Sequence, residues 1–111
     1  MKKRMAYHPQ RIKANATRPS EIAREAAKLA RSILGESTEV IWFGSWPQGR
    51  ARAHSDIDLA VSTGTPVPPA QMALLHEAVE ELPTLYDIDI VDLSSAGDAL
   101  RHEIFEHGQR L

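Results

Sequence analysis

The sequence predicts an α+β domain, a short sheet of three to four strands flanked by helices, from three observations in its 111 residues. Three segments carry apolar residues at helical spacing, three short runs are apolar enough for strands, and glycine or proline closes nearly every segment. The first helix is "RPSEIAREAAKLARSILG", with Pro19 near its first position, Glu21 and Glu25 early, Lys28 and Arg31 late, and Gly35 as its stop. Ile22, Ala26, Leu29 and Ile33 line one face of it. "EVIWF" follows as a short buried strand and Asp56 to Ser62 as a second, closed by "TGTPVPP". A second helix runs from about Pro69 to Glu81, with Met72, Leu75, His76 and Val79 on one stripe, and halts at Pro83. "LYDIDIVDL" reads as a third strand. "SAGDALRHEIFEHG" is a last helix, with Leu100, Ile104 and Phe105 expected inward and Gly108 as its stop.

A chain of this length matches one domain with one core. The absence of cysteine excludes a disulfide framework and a thiolate metal site, and no apolar run approaches the roughly 18 residues of a membrane span. The start "MKKRMAYHPQ" is basic but lacks the apolar region of a signal peptide, so a cytoplasmic protein is expected. The net charge of -2 conceals two different regions. Lys2, Lys3, Arg4, Arg11, Lys13 and Arg18 give the first 18 residues +6, leaving the other 93 at -8. Residues 1–18 are therefore read as a basic extension and 19–111 as the folded domain. Such an arm can hold nucleic acid or an acidic surface, although most are solvated extensions; an acidic body disfavours nucleic acid as the main ligand.

Chemistry concentrates in "VIWFGSWPQGRARAHSDIDLAV", Val40 to Val61. Gly44 at a strand end lets the backbone approach a bound group, Ser45 adds a hydroxyl, and a short helix starting at Ser45 would offer free amides to an anion. Asp56 and Asp58 lie two apart, so they share a strand face about 6 to 7 Å from each other. Like charges at that spacing repel unless a cation lies between them, and hard oxygen ligands suit magnesium together with phosphate oxygens. The plainer alternative is a strand end with solvated aspartates. The third strand supplies a second same-face pair, Asp87 and Asp89, with Asp92 on the other face, and two acidic strands favour the metal.

Gly44-Ser45, ten residues, then Asp56-Ile57-Asp58-Leu59 resembles the signature of the polymerase-beta-type nucleotidyltransferase superfamily, and the chain is similar to its minimal nucleotidyltransferase (MNT) branch from the first helix to Gly108. The resemblance implies that fold, with a mixed sheet, and an Mg2+-dependent nucleotidyltransferase using ATP as donor. It assigns Gly44 and Ser45 to the nucleotide's phosphates, Asp56 and Asp58 to the metal, and, through "IDIVDL", Asp89 as third metal-binding and catalytic carboxylate. It further implies a toxin–antitoxin pair in which the MNT antitoxin transfers AMP to a tyrosine hydroxyl of a HEPN-domain RNase toxin.

The loop departs from the family's basic runs resembling "GSRARG", because Trp46, Pro47 and Gln48 intervene and leave Arg50 and Arg52 as the nearby cations. Trp46 could stack on a base or simply pack beside the strand. His54 is given no role. Two other readings stand beside protein adenylylation. One is a catalytically idle module that neutralises its HEPN partner by contact; the other is a small-molecule transferase of the aminoglycoside type, which the short chain disfavours.

Overall fold

The computed structural model describes residues 15–111, so the expectation for the basic arm falls largely outside the described residues. The elements run α1 (Thr17–Leu34), β1 (Glu39–Phe43), β2 (Ile57–Ser62), α2 (Pro69–Glu80), β3 (Ile88–Asp92), a single 3-10 turn (Leu93–Ser95), α3 (Asp98–His107) and β4 (Gln109–Arg110). Helix α1 opens where Asn15 Oδ1 accepts the Thr17 N–H at 2.8 Å, and it ends at Gly35, whose φ of +121° a side chain would resist. Helix α2 opens on proline, which fixes φ and has no N–H to leave unpaired.

The strands form one mixed sheet in the order β3-β2-β1-β4. β1 pairs antiparallel with β2 and β4, and β2 pairs parallel with β3. Strand β4 lies beyond the stop expected at Gly108. A Cβ at Gly108 would run into the Ile104 carbonyl and the Ile41 side chain, so glycine alone lets the chain leave α3 and turn tightly back beside β1. Leu111 N–H then donates to the Val40 carbonyl at 2.9 Å.

The sheet separates two cores. On one face Val40, Trp42, Ile57, Leu59, Val61 and Ile90 meet the buried alanines and Ile22 of α1 and Leu75 and Val79 of α2. On the other, Ile41, Phe43 and Ala60 meet Leu93 and Ile104 in a smaller cluster. β1 contributes to both, which explains why "EVIWF" reads as a continuous apolar run. Phe105 does not face inward as expected: it is 54% exposed, with the Arg101 guanidinium 5.9 Å from its ring. Leu100 and Ile104 already fill the stripe of this short helix, and Phe105 lies a further 100° round it.

Candidate active site

Alternation along β2 places Ile57, Leu59 and Val61 in the larger core and turns Asp58 and Ala60 to the opposite face. In β3, Ile90 joins the larger core, so Asp89 and Val91 turn the same way as Asp58. Asp58 and Asp89 are direct partners in the parallel register, on strands that lie about 4.8 Å apart. Asp56 precedes β2 by one residue and follows the same alternation. Three carboxylates therefore gather on the face that α3 covers only in part.

Gly44 lies against this group. Its φ is +85°, and a Cβ there would collide with the Asp58 carboxylate. Any side chain would both strain the backbone and displace the acid. Ser45, half-buried, begins not a helix but a series of turns, in which Arg50 N–H donates to the Ser45 carbonyl at 2.9 Å and Gly49 N–H to the Trp46 carbonyl at 3.0 Å.

Trp46 belongs to the protein interior. It is 7% exposed, meets Tyr86 edge-on at 6.2 Å, and its indole N–H donates to the Ser55 carbonyl at 3.0 Å. That bond ties the start of the loop to the residue before Asp56. A second clamp, Arg52 N–H to Ser55 Oγ at 2.7 Å, tightens the same end. Arg50 and Arg52 are exposed, and Arg50 Nη2 donates to Gln48 Oε1 at 2.8 Å. The two remaining acids of the third strand differ in position: Asp87 shares the alternation of Asp89, and Asp92 does not. Asp87 precedes β3 and offers its carbonyl to Ile57 N–H at 2.9 Å. Asp92, on the other face, accepts from Val67 N–H at 2.8 Å and from Ser94 N–H and Oγ at 3.0 and 2.9 Å, so it anchors two loops.

Burial first, and then the neighbouring charges of Asp89, Asp56 and Glu103, push the Asp58 carboxyl from an ordinary 3.8 up to about 6. Glu103 on α3 was not singled out in the sequence. Its signal is helical: position 103 stands three residues after Leu100 and one before Ile104, at the edge of the inward stripe.

An all-oxygen donor set with a surplus of negative charge fits a hard cation. Among the described residues no three acidic or histidine side chains converge into a closed coordination set. Magnesium typically takes one or two carboxylates and completes its shell with water and phosphate oxygens, and Asp58 and Asp89, partners in the parallel register, are the pair that fits such a demand.

Residues 20–111 match the family described as polymerase beta, nucleotidyltransferase. The protein adenylyltransferase MntA of Shewanella oneidensis is 32% identical over 85 residues, 76% of this chain, and the chain spans only 60% of that relative's length. A crystal structure of a toxin–antitoxin with AMP-PNP is similar at a TM-score of 0.67 and 27% identity, covering 79% of this chain and 70% of that one. A tri-AMPylated Shewanella oneidensis HEPN toxin in complex with MNT antitoxin is alike in fold, at a TM-score of 0.63 and 23% identity over 82% of this chain and 69% of that one. With the family match reaching from α1 to the last residue and the paired aspartates in register behind the Gly-Ser turn, the chain belongs to the polymerase beta nucleotidyltransferase family.

Proposed function

We propose that this chain is the MNT antitoxin of a HEPN/MNT pair and transfers AMP from ATP to a hydroxyl, a tyrosine's, on its HEPN partner. The observation that carries the reading is the register of Asp58 with Asp89 beside a glycine whose missing side chain leaves room for the Asp58 carboxylate. Similarity to a protein adenylyltransferase and to a toxin–antitoxin solved with an ATP analogue supports donor and partner.

Asp56, Asp58 and Asp89 would share the holding of magnesium, which would neutralise charge on the triphosphate and lower the pKa of the acceptor hydroxyl. Ser45 and the turn behind it receive the β and γ phosphates, because Gly44 lets the backbone come close there. Asp89, on the edge strand and exposed, is placed to take the hydroxyl's proton. The acceptor oxygen bonds to the α-phosphorus as the bridging oxygen to the β-phosphorus departs, releasing pyrophosphate. We assign the reaction to the cytoplasm and treat the basic segment before the transferase domain as an extension, its expected bounds of 1–18 shortened by Thr17 and Arg18, which belong to α1.

Intact mass spectrometry of the co-expressed HEPN protein tests the reading. With magnesium and ATP its mass should rise by about 329 Da per adenylate, and Asp56→Asn should abolish the increase. A partner whose mass never changes, yet whose toxicity Asp56→Asn still suppresses, would instead make this chain a binding module acting by contact.

A further inference from the structure

Asp56 is exposed and belongs to no strand, yet both of its peptide groups are tethered. On one side the indole N–H of Trp46 donates to the Ser55 carbonyl at 3.0 Å, and on the other Ile57 N–H donates to the Asp87 carbonyl at 2.9 Å. Ser55 is pinned a second time, because its Oγ accepts the Arg52 N–H at 2.7 Å. A carboxylate at the end of a loop thereby receives a fixed backbone.

Trp46 links these tethers to the rest of the site. It follows Gly44-Ser45 directly in the chain, bonds the residue before Asp56, and meets edge-on Tyr86, three residues before Asp89. Three segments that carry site residues meet on one side chain. The ring lies in the larger core with Ile57, Leu59 and Ile90, on the side of the sheet opposite Asp58, so its influence on the carboxylates passes through the backbone. Trp42 provides the contrast within the same core. It is 3% exposed and its indole N–H has no partner among the described residues, so it serves packing alone.

Resting on the reading of this chain as a protein adenylyltransferase, we propose that Trp46 is a positioning residue: by holding the Ser55 carbonyl, it fixes Asp56 relative to the Gly44-Ser45 turn and to the strand of Asp89. With the Ser55 carbonyl released, Asp56 turns about its own backbone while Asp58, inside β2, stays in place. A misplacement of about 1 Å costs on the order of a hundredfold in rate. Loss of the tether therefore lowers kcat rather than affinity for the acceptor protein.

The test sets Trp46→Phe against Trp42→Phe, the same truncation at two buried positions of one core. Trp46→Phe should lower kcat for AMP transfer to the co-expressed HEPN protein about ten- to a hundredfold, with KM for that protein within about twofold. Trp42→Phe should also melt earlier but keep kcat within about twofold. Hydrogen exchange reads the tether without turnover. Relative to the β1–β2 ladder, the Arg52 and Ile57 amides should exchange about tenfold faster in Trp46→Phe and at wild-type rates in Trp42→Phe. Should Trp46→Phe fail to fold, Ser55→Ala, which removes the acceptor of the Arg52 N–H and no core side chain, should lower kcat about threefold. Wild-type kcat in Trp46→Phe, or in Ser55→Ala where Trp46→Phe does not fold, overturns the proposal. Equal losses of kcat in the two tryptophan variants overturn it too, leaving Trp46 as packing alone. If the wild-type chain transfers no AMP, the adenylylation reading falls by itself; unchanged exchange of the Arg52 and Ile57 amides in Trp46→Phe then overturns the tether, and faster exchange upholds it.

Discussion

The two faces of the sheet differ in what was sacrificed on each. One is closed by α1 and α2 and packed with aliphatic side chains, Leu75 and Val61 among them at 0% exposure. The other is covered only in part, by α3 and the 3-10 turn over Ile41, Phe43 and Ala60, and it also holds Asp58, Asp89 and Asp56, with a half-buried Glu103 alongside. Packing would favour an apolar residue at 58, near the start of a central strand and half-buried. Instead, burial first and then the neighbouring charges of Asp89, Asp56 and Glu103 raise the Asp58 pKa to about 6. The closed face stabilises the domain, and the open face gives up part of that stability to hold the carboxylates on which the proposed function rests.

The sharpest way to break this contrast is to neutralise the open face. Asp58→Asn and Asp89→Asn should each lower AMP transfer by on the order of a thousandfold while leaving the fold intact, measured by partner mass and by circular dichroism. Wild-type rates in Asp89→Asn would remove it from the site.

The converse change is Leu75→Ala, a large-to-small substitution in the closed core. It should cost about 2–5 kcal/mol in urea unfolding and leave the turnover of molecules that remain folded near wild type. A selective loss of turnover with stability preserved would mean that the two faces are not separable.

Much of this contrast was legible beforehand, for a definite reason. Period-two alternation is a local property, so the common face of Asp56 and Asp58 and the opposite face of Asp92 follow from position in the strand. The neighbourhood of Asp58 and Asp89 is a matter of register between strands 31 residues apart in sequence, which only the family resemblance supplied. Strand β4 was missed because two residues carry no pattern, and the close approach that requires glycine at 108 is visible only in three dimensions. Phe105 was misplaced because a ten-residue helix on a narrow sheet buries one thin stripe rather than a broad face. Trp46, left open between stacking on a base and packing, is decided by its bond to the Ser55 carbonyl.

Asp92 gives a finer test, because it differs from Asp89 in face and not in chemistry. Removing its carboxylate in Asp92→Ala leaves the Val67 and Ser94 amides without their acceptor and should cost about 1–3 kcal/mol of stability. Turnover at a temperature well below unfolding should be retained. Asp89→Ala should show the reverse, lost turnover with little loss of stability, and equal behaviour of the two would dissolve the distinction between the faces.

The smallest effect is the most direct measure of strain on the open face. Asp58 titrates near 6 in the folded chain, owing to burial, then Asp89, Asp56 and Glu103, against 3.8 when unfolded. Between those values the folded state holds a proton that the unfolded state has released. The stabilisation from this group is therefore complete below about pH 4 and is lost as pH rises through about 6, opposite to a carboxylate in a salt bridge. The group is partly exposed, so solvent screening reduces the effect to about 1–2 kcal/mol. In EDTA, Asp58→Asn should match wild type near pH 4 and exceed it in thermal stability above pH 7, so the difference between the two curves isolates this residue from the other acids. Magnesium with nucleotide should narrow the gap at pH 7, because a cation bound by the carboxylates relieves the same repulsion that the neutral amide of the variant removes. Parallel melting curves for the two proteins from pH 4 to 8 would show that the open face holds its charges without strain.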